Sequence, residues 1–206
     1  MSKKKKRHRD PHRSDSRNHS GGDRGITRTL PVSLPYGVAS AVLRDGKLLS
    51  VEWERSPVAL EEVLSGKFPM AKVIDPGKCE AGLLLHAYSE GRPVAAESVA
   101  AVLVDWDRAS PFQRVVLKEL AKVPYGRTIT YGELAARSGR RKAARAVGAA
   151  LSRNPWPVIL PCHRVIGADG KMVGFGKGID AKRIILSFEE RNAARAEGCT
   201  RKRQNV

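Results

Sequence analysis

Large apolar residues are unevenly distributed along this chain, and their distribution limits where a folded core can form. Residues 1–30 are rich in Lys, Arg, Ser, Asp and Gly and contain almost no large apolar side chain. Such a segment cannot bury enough surface to offset the entropy lost on folding. We therefore interpret residues 1–30 as a disordered basic arm and expect the fold to begin near Pro31.

The rest of the chain is long enough for one substantial domain or two small ones. No apolar run approaches the roughly 20 residues that a membrane-spanning helix needs, and no apolar stretch follows the basic N-terminus. Three widely spaced cysteines, Cys79, Cys162 and Cys199, argue against a disulfide framework and a zinc finger. These features predict a cytoplasmic protein with no membrane partner.

The formal net charge of +17 favours a polyanionic partner. The excess lies in the arm, in residues 191–206, and in residues 101–190, which hold 16 basic and 8 acidic residues. A basic surface on the folded part of the chain points to nucleic acid. The alternative is a solvated basic surface with no particular partner.

Residues 31–107 predict a small α+β domain. Residues 38–53 have strand-like character on either side of Asp45-Gly46, a dipeptide that suits a tight hairpin turn. Helices are expected around residues 58–64 and 78–89, and a further apolar run covers residues 99–104. No catalytic group of residues is apparent in this part of the chain.

No metal site is predicted. Cys79 and His86 lie seven residues apart on one expected helix, but no further ligands accompany them. The arm histidines His8, His12 and His19 likewise lack a cysteine or carboxylate framework.

Residues 108–190 show the start and stop signals of three successive helices. Ser110 can cap a helix that begins at Pro111, and Thr130 with Glu133 forms a capping box for a second helix. Gly139 ends that helix, and a third is expected over residues 141–152. Two short helices joined by a tight turn predict a helix-turn-helix.

The third helix consists mostly of small residues, with Arg145 as its one long side chain at mid-face. A thin helix can approach a widened minor groove of DNA, which is normally only ~6 Å wide. The same Ala/Gly surface would also allow close packing on another helix. The sequence leaves both interpretations open.

Prolines bound the apolar run at residues 155–161, which we interpret as a buried strand that delivers Cys162 at its end. A cysteine in such a place can be a plain buried apolar residue. Here His163 is adjacent and Arg164 adds positive charge, both of which favour a reactive thiolate. Because neighbours on a strand point to opposite faces, a bend or a bridging water would have to connect Cys162 with His163.

These residues resemble a known family. Residues 161–166, PCHRVI, follow Arg145-Ala-Val-Gly148 and Asn154-Pro155 and precede Gly174-Phe-Gly176 and Glu189. The pattern, from about residue 110 to residue 189, resembles the O6-alkylguanine-DNA alkyltransferases, also called methylated-DNA–protein-cysteine methyltransferases. The resemblance implies an α+β fold: an RNase H-like N-terminal domain over 31–107, a winged-helix-like helix-turn-helix domain over 108–190 with the active site, and a basic tail over 191–206.

The resemblance also implies a reaction. An alkyl group on O6 of guanine, or on O4 of thymine, in double-stranded DNA would be transferred to Cys162 after the nucleotide is flipped out. Each chain would accept one group, as a monomer without a cofactor, in the cytoplasm or on the nucleoid of a prokaryote.

Site residues follow from the same resemblance. The implied catalytic residues are Cys162 as acceptor, His163 as the water-mediated base, Glu189 as its orienting carboxylate and Tyr131 as the residue that helps rotate the nucleotide and protonate the base. The implied DNA-binding residues are Arg145, which fills the gap left by the flipped guanine, and Ala144, Ala146, Gly148, Arg153 and Asn154. The implied pocket residues are Val165, Phe175, Gly176 and Trp156.

One departure from the family pattern and two alternatives qualify this interpretation. Phe175 and Gly176 stand where the family often has tyrosine and serine, so we expect a roomier pocket without a hydroxyl contact to the base. Cys162, rather than the tryptophan of the related alkyltransferase-like proteins, favours chemistry over binding alone. The alternatives are a non-enzymatic lesion-binding or helix-turn-helix regulatory protein, and a cysteine hydrolase, for which no oxyanion-hole motif is visible.

Overall fold

The computed structural model of the chain describes residues 25–93, 96 and 103–204, with side chains through residue 196. Most of the predicted arm, including His8, His12 and His19, lies outside these residues, as does most of the apolar run at 99–104. The arm prediction was wrong for its last residues, because Ile26–Thr29 forms a strand with Ile26 buried. Pairing of this strand on both edges orders a segment that carries little apolar surface of its own.

A five-stranded sheet forms the N-terminal unit. Its strands are β1 (Ile26–Thr29), β2 (Val32–Ser33), β3 (Val38–Arg44), β4 (Lys47–Glu54) and β5 (Lys72–Ile74). β3 pairs antiparallel with β1, β2 and β4, while β5 pairs parallel with β1. The predicted hairpin is confirmed: Asp45 and Gly46 form its turn with φ of 49° and 78°, a region that these two residue types tolerate.

Two helices cover this sheet, and both were predicted. Helix α1 (Pro57–Lys67) begins after Ser56, whose hydroxyl accepts a hydrogen bond from the Ala59 amide at 3.2 Å. Helix α2 (Glu80–Ser89) buries Leu85 and Tyr88. No helix within the described residues is both long and apolar enough to cross a membrane.

The C-terminal unit is mainly helical. Its elements are α3 (Pro111–Ala121), β6 (Ile129–Thr130), α4 (Tyr131–Arg137), α5 (Ala144–Leu151), β7 (Val165–Ile166) and α6 (Ile179–Gln204). The predicted caps are confirmed: the Ser110 hydroxyl accepts from the Gln113 amide, and Thr130 and Glu133 exchange both hydrogen bonds of a capping box. Gly139 follows α4 with a φ of 74°, which suits a helix end.

Two predicted boundaries differ from the structure. Helix α5 starts at Ala144 rather than at residue 141, because the Ala143 amide closes a turn onto the Arg140 carbonyl at 2.8 Å. Helix α6 runs through the expected boundary at residue 190, so the basic C-terminal segment continues that helix to Gln204. Its Ala, Arg and Glu residues are good helix formers.

The predicted strand over residues 155–161 is absent from the described structure. Pro155, Pro157 and Pro161 cannot donate to a strand ladder, and Val158 has a left-handed φ of 72°. The segment therefore turns, Cys162–Arg164 forms a short 3-10 turn, and only β7 pairs, in parallel with β6. This corrects the expectation that Cys162 ends a strand.

The turning segment joins the two units. The Val51 amide donates to the Pro155 carbonyl at 2.8 Å, and the Trp156 indole donates to the Leu48 carbonyl at 2.9 Å. Apolar residues of both units share one core. The chain leading to Cys162 therefore rests on strand β4 of the sheet.

Candidate active site

A cavity of about 1100 Å³ opens between β4, α5 and residues 173–177. It collects most of the site residues expected from the sequence, namely Tyr131, Ala144, Arg145, Gly148, Arg153, Asn154, Cys162, Phe175 and Gly176.

Five expected residues do not line the cavity: the catalytic candidates His163 and Glu189, described below, and three others. Trp156 as a pocket residue was wrong: its indole is fully buried and packs edge-on against Trp106, 5.5 Å away between ring centroids, because the segment turns into the core instead of forming a strand. Val165 is fully buried and does not line the cavity, and Ala146 is exposed on α5 outside the cavity lining.

Cys162 reaches the cavity from the start of the 3-10 turn with a partly exposed side chain. Burial raises the pKa of its thiol, while a hydrogen bond from Asn154 and the charge of Lys182 act in the opposite direction. The thiol form therefore predominates at neutral pH. Nucleophilic chemistry at this sulfur needs a base that removes the proton.

His163 is the adjacent candidate base. Its Nε2 lies 2.7 Å from Glu189 Oε1, and both side chains are fully buried. Burial lowers the pKa of His163 despite the opposing effect of Glu189, so the ring is neutral and donates its one N–H to the carboxylate. Nδ1 is then an acceptor, and it is buried without a hydrogen-bond partner among the described residues. His163 thus keeps one basic nitrogen for a proton.

Glu189 is held by donors on both oxygens. Arg164 donates from Nε to Oε2 at 2.8 Å and from Nη2 to Oε1 at 3.0 Å. The Gly126 amide donates to Oε2 at 3.2 Å, and the Tyr88 hydroxyl donates to Oε1 at 2.8 Å. Burial alone would raise the pKa of Glu189, but His163 and Arg164 outweigh it and hold that pKa far below its usual range. The carboxylate therefore stays ionised and orients the His163 ring.

Two side-chain amides fix the connection between α5 and Cys162. Asn154 accepts from the Trp156 amide at 3.1 Å and donates to the Leu160 carbonyl at 2.8 Å. Gln113 of α3 donates to the carbonyls of Ala150 and Arg153 at 3.0 and 2.9 Å. These bonds hold the segment leading to Cys162 in one conformation, and Gln113 was not singled out from the sequence.

Tyr131 lies across the cavity, where its hydroxyl donates to the Gly174 carbonyl at 3.3 Å. Burial and the nearby Cys162 raise the pKa of Tyr131, so the phenol is protonated at neutral pH. The fully buried Lys182 donates to the carbonyls of Val165 and Val173 at 2.6 and 2.9 Å. Lys182 thereby ties the loop next to Tyr131 to strand β7.

Strand β4 of the N-terminal unit supports the same loop. The rings of Phe175 and Trp53 meet edge to face, with centroids 6.0 Å apart. Lys177 forms an ion pair with Glu54 at 2.6 Å. One wall of the cavity therefore comes from the sheet.

Helix α5 presents its thin surface outward. Val147, Ala150 and Leu151 form the buried face, whereas Arg145, Ala146 and Ala149 are exposed. The close-packing interpretation is therefore wrong for Ala146 and Ala149. Within the described part of the chain, no group of three or more His, Cys, Asp or Glu residues is placed to hold a metal ion.

Comparison with known proteins shows which proteins this chain is similar to. The profile of the 6-O-methylguanine DNA methyltransferase DNA-binding domain matches residues 111–191. A methylated-DNA–protein-cysteine methyltransferase of Methanosarcina barkeri is 45% identical over 113 residues, which cover 55% of this chain and 68% of that protein. Its Mycolicibacterium paratuberculosis counterpart is 50% identical over 86 residues, which cover 42% of this chain and 52% of that protein.

Solved structures extend the similarity to the N-terminal unit. The Mycobacterium tuberculosis O6-methylguanine methyltransferase superimposes with a TM-score of 0.66 at 32% identity, covering 81% of this chain and 94% of that one. The chain belongs to the methylated-DNA–protein-cysteine methyltransferase family. Mycobacterium tuberculosis OGT in complex with DNA superimposes with a TM-score of 0.60 at 30% identity, again over 81% of this chain and 94% of that one.

Besides Gln113, three residues around the active site of this methyltransferase-family chain were missed or misplaced by sequence reasoning. Arg164 was expected to add charge near the thiol, but the structure pairs it with Glu189. Tyr88 and Lys182 were not singled out, because a tyrosine on an apolar helix and a lysine on a basic helix are ordinary residues. The sequence signal for Arg164 was its position next to His163, the candidate base. An arginine that is buried there needs a carboxylate partner, and Glu189 was the carboxylate already expected at that site.

Proposed function

We propose that this chain repairs DNA by transferring an alkyl group from O6 of guanine in double-stranded DNA to Cys162, once per chain. The observation that carries the proposal is the position of Cys162 at a large cavity, next to the buried His163–Glu189 pair. We include O4-alkylthymine as a substrate, because its alkyl carbon is likewise attached to an exocyclic oxygen.

The proposed reaction uses Cys162 and Tyr131, which line the cavity, and the buried His163 next to Cys162 in the chain. The Cys162 proton passes to Nδ1 of His163 through a bridging water, and the thiolate attacks the alkyl carbon. The sulfur–carbon bond forms, the carbon–O6 bond breaks with its electron pair going to guanine, and Tyr131 gives the base a proton. The proton on His163 later returns through solvent to the tyrosine. A thioether has no hydrolysable bond, so the acceptor is not regenerated.

DNA binding is assigned to α5 and the segment after it. An alkylated guanine is reachable only when its nucleotide leaves the base stack. We propose that the thin surface of Ala144, Ala146 and Gly148 approaches the minor groove and that Arg145 fills the gap. Arg153 would contact the DNA backbone beside the cavity, and Asn154 would act as the hinge that ties the DNA-binding helix to the segment carrying Cys162. Phe175 and Gly176 would face the flipped base.

We also propose the finer fold description and setting. An RNase H-like N-terminal domain is supported by the strand order β4-β3-β1-β5. In this order β5 pairs parallel with β1, and the other neighbouring strands pair antiparallel. A winged-helix-like C-terminal domain is supported by α3, α4 and α5 beside the short β6–β7 pair. The protein would act as a monomer in the cytoplasm, or on the nucleoid of a prokaryote, where its DNA substrate lies.

Alkyl transfer can be tested directly. The chain is incubated with duplexes carrying labelled O6-methylguanine or O4-methylthymine, and the labelled residue is mapped by mass spectrometry. Label on Cys162 at no more than one group per chain is the expected result. Binding of the duplex without label on the protein would favour the non-enzymatic alternative.

Arg145 provides a prediction that separates extrusion from chemistry. Replacing it by Ala should slow repair in duplex DNA by about 10- to 100-fold, because 1.4 kcal/mol of lost stabilisation is a factor of ten and extrusion takes a few kcal/mol. Reaction with free O6-benzylguanine should change little, since a free base needs no extrusion. Arg141→Ala, at an exposed site outside the cavity lining, controls for the removal of charge. An equal loss of rate on the duplex and on free O6-benzylguanine would contradict the role of Arg145 in extrusion.

A second prediction concerns the basic arm. The test is a deletion variant that lacks residues 1–24. Because β1 begins at Ile26, this deletion should leave the sheet intact. Affinity for damaged and undamaged duplex should fall equally, because phosphate contacts carry no base information. The slope of log affinity against log salt should become shallower by about 0.9 for each phosphate that the arm neutralises in the full chain. An unchanged slope would show that the arm does not contact DNA.

A further inference from the structure

Within the part of the chain that the structure describes, the carboxylate of Glu189 receives one hydrogen bond from outside the C-terminal unit. Gly126, His163 and Arg164 all belong to that unit, whereas Tyr88 lies on α2 of the N-terminal unit, 101 residues away in sequence. Its hydroxyl donates at 2.8 Å to Oε1. The same oxygen accepts the Nε2–H of His163 at 2.7 Å.

We propose that Tyr88 is a positioning residue that sets the proton affinity of His163 through Glu189, so that the N-terminal unit takes part in the reaction. The proposal rests on the proposed function for the identity of that reaction. It adds a residue to the relay and gives the sheet unit a role beyond supporting one wall of the cavity.

The effect follows from donors that share one oxygen: Oε1 accepts from Tyr88 and His163, and also from Arg164 Nη2 at 3.0 Å. A hydrogen bond from Tyr88 withdraws charge from Oε1, which makes this oxygen a weaker acceptor for His163. Removing the hydroxyl should strengthen the attraction between Glu189 and the imidazole, and a more strongly bound Nε2–H raises the affinity of Nδ1 for a proton. The hydroxyl thus keeps His163 neutral and ready to accept a proton.

Tyr88 is suited to a fixed donor role. Burial, and then the charge of Glu189, raise the pKa of Tyr88 well above its ordinary value, so the hydroxyl keeps its proton. The ring is fully buried and packs against Tyr125 and Phe188, each 6.0 Å away between centroids, and against His163 at 6.4 Å. The hydroxyl therefore has little freedom to leave Glu189.

Other ionisable groups also surround His163, and the Tyr88→Phe substitution alters none of these residues. They are Glu189 and Lys182 on α6, Arg164 and Cys162 beside it in the chain, and Tyr125 next to Tyr88. A shift on removing only the Tyr88 hydroxyl therefore reports the hydrogen bond to Oε1.

The experiment compares Tyr88→Phe with Tyr125→Phe in the full chain. Tyr125 is the matched control, since its buried hydroxyl makes no hydrogen bond to Glu189. The titration of His163 is followed by ¹⁵N NMR of the imidazole ring and assigned with His163→Gln. In parallel, the rate of reaction with free O6-benzylguanine is measured against pH.

In Tyr88→Phe the His163 midpoint should rise by about 0.5–1 pH unit, since a typical net hydrogen-bond contribution corresponds to about one unit. The acid limb of the rate profile should move in the same direction, while Tyr125→Phe should leave both in place. An unchanged His163 midpoint in Tyr88→Phe, or an equal shift in both variants, would overturn the proposal.

A second substitution covers the case in which Tyr88→Phe does not fold. 3-Fluorotyrosine at position 88 keeps the ring and hydroxyl but is a stronger donor, so the His163 midpoint should fall. A rise or no change would again refute the role of Tyr88. The NMR titration needs no alkyl transfer, so a wild-type chain that fails to react would count against the proposed function and leave the test of Tyr88 intact.

Discussion

Cys162→Ala is expected to abolish alkyl transfer to the protein, because no other thiol among the described residues lines the cavity. Duplex binding should stay within about twofold of wild type, a change of only ~0.4 kcal/mol, since the basic surface and α5 are untouched. Transfer is measured with labelled O6-methylguanine duplex and binding by fluorescence anisotropy. The removed thiol is partly exposed, so the loss should not reflect unfolding.

Cys79→Ala is the matched control. The Cys79 sulfur accepts a hydrogen bond from the Gly82 amide at 3.4 Å at the start of α2, away from the cavity. This variant should retain one transferred group per chain. Label on Cys79 or Cys199, or many turnovers per chain, would contradict the assignment of Cys162 as the acceptor.

Glu189→Gln is expected to reduce both stability and reactivity. The carboxylate neutralises the buried Arg164 and orients His163. The side-chain amide of a glutamine would place its N–H groups against the N–H donors of Arg164 and His163. Breaking a buried ion pair typically lowers the free energy of unfolding by about 3–5 kcal/mol. Loss of an oriented base should slow transfer by roughly 100-fold or more. Denaturant unfolding and single-turnover transfer measure the two effects.

The adjacent Glu190 supplies the control, since its side chain is exposed. Glu190→Gln should change the free energy of unfolding by less than about 0.5 kcal/mol, as is usual for surface substitutions. If Glu189→Gln were as stable and reactive as Glu190→Gln, the buried carboxylate would have no role in the relay.

The pH dependence of stability has a definite sign. The pKa of Glu189 is depressed in the folded protein from an ordinary value of 4.5. Its contribution to stability is therefore fully present above that value and is lost progressively as the pH falls below it. The stability difference between wild type and Glu189→Gln should narrow over this acid range, and a constant difference would contradict the depressed pKa.

Local signals in the sequence accounted for much of the fold. The hairpin at Asp45-Gly46 and the caps at Ser110 and Thr130 rest on contacts within a few residues, so they were predictable. The strand before Cys162 was mispredicted, because three prolines and the left-handed Val158 override an apolar pattern that suits a strand. The end of the arm was misplaced because pairing with β3 and β5 orders Ile26–Thr29.

The sequence by itself determined the chemistry available to this chain. The order Cys162-His163-Arg164, the small residues around Arg145 and the carboxylate of Glu189 can be read without coordinates, because each depends on residue type and local spacing. Only the tertiary structure decided that Arg164 and Tyr88 both bind Glu189 and that β4 forms one wall of the cavity. Contacts between residues far apart in sequence depend on how the two units pack, and no local pattern encodes that arrangement.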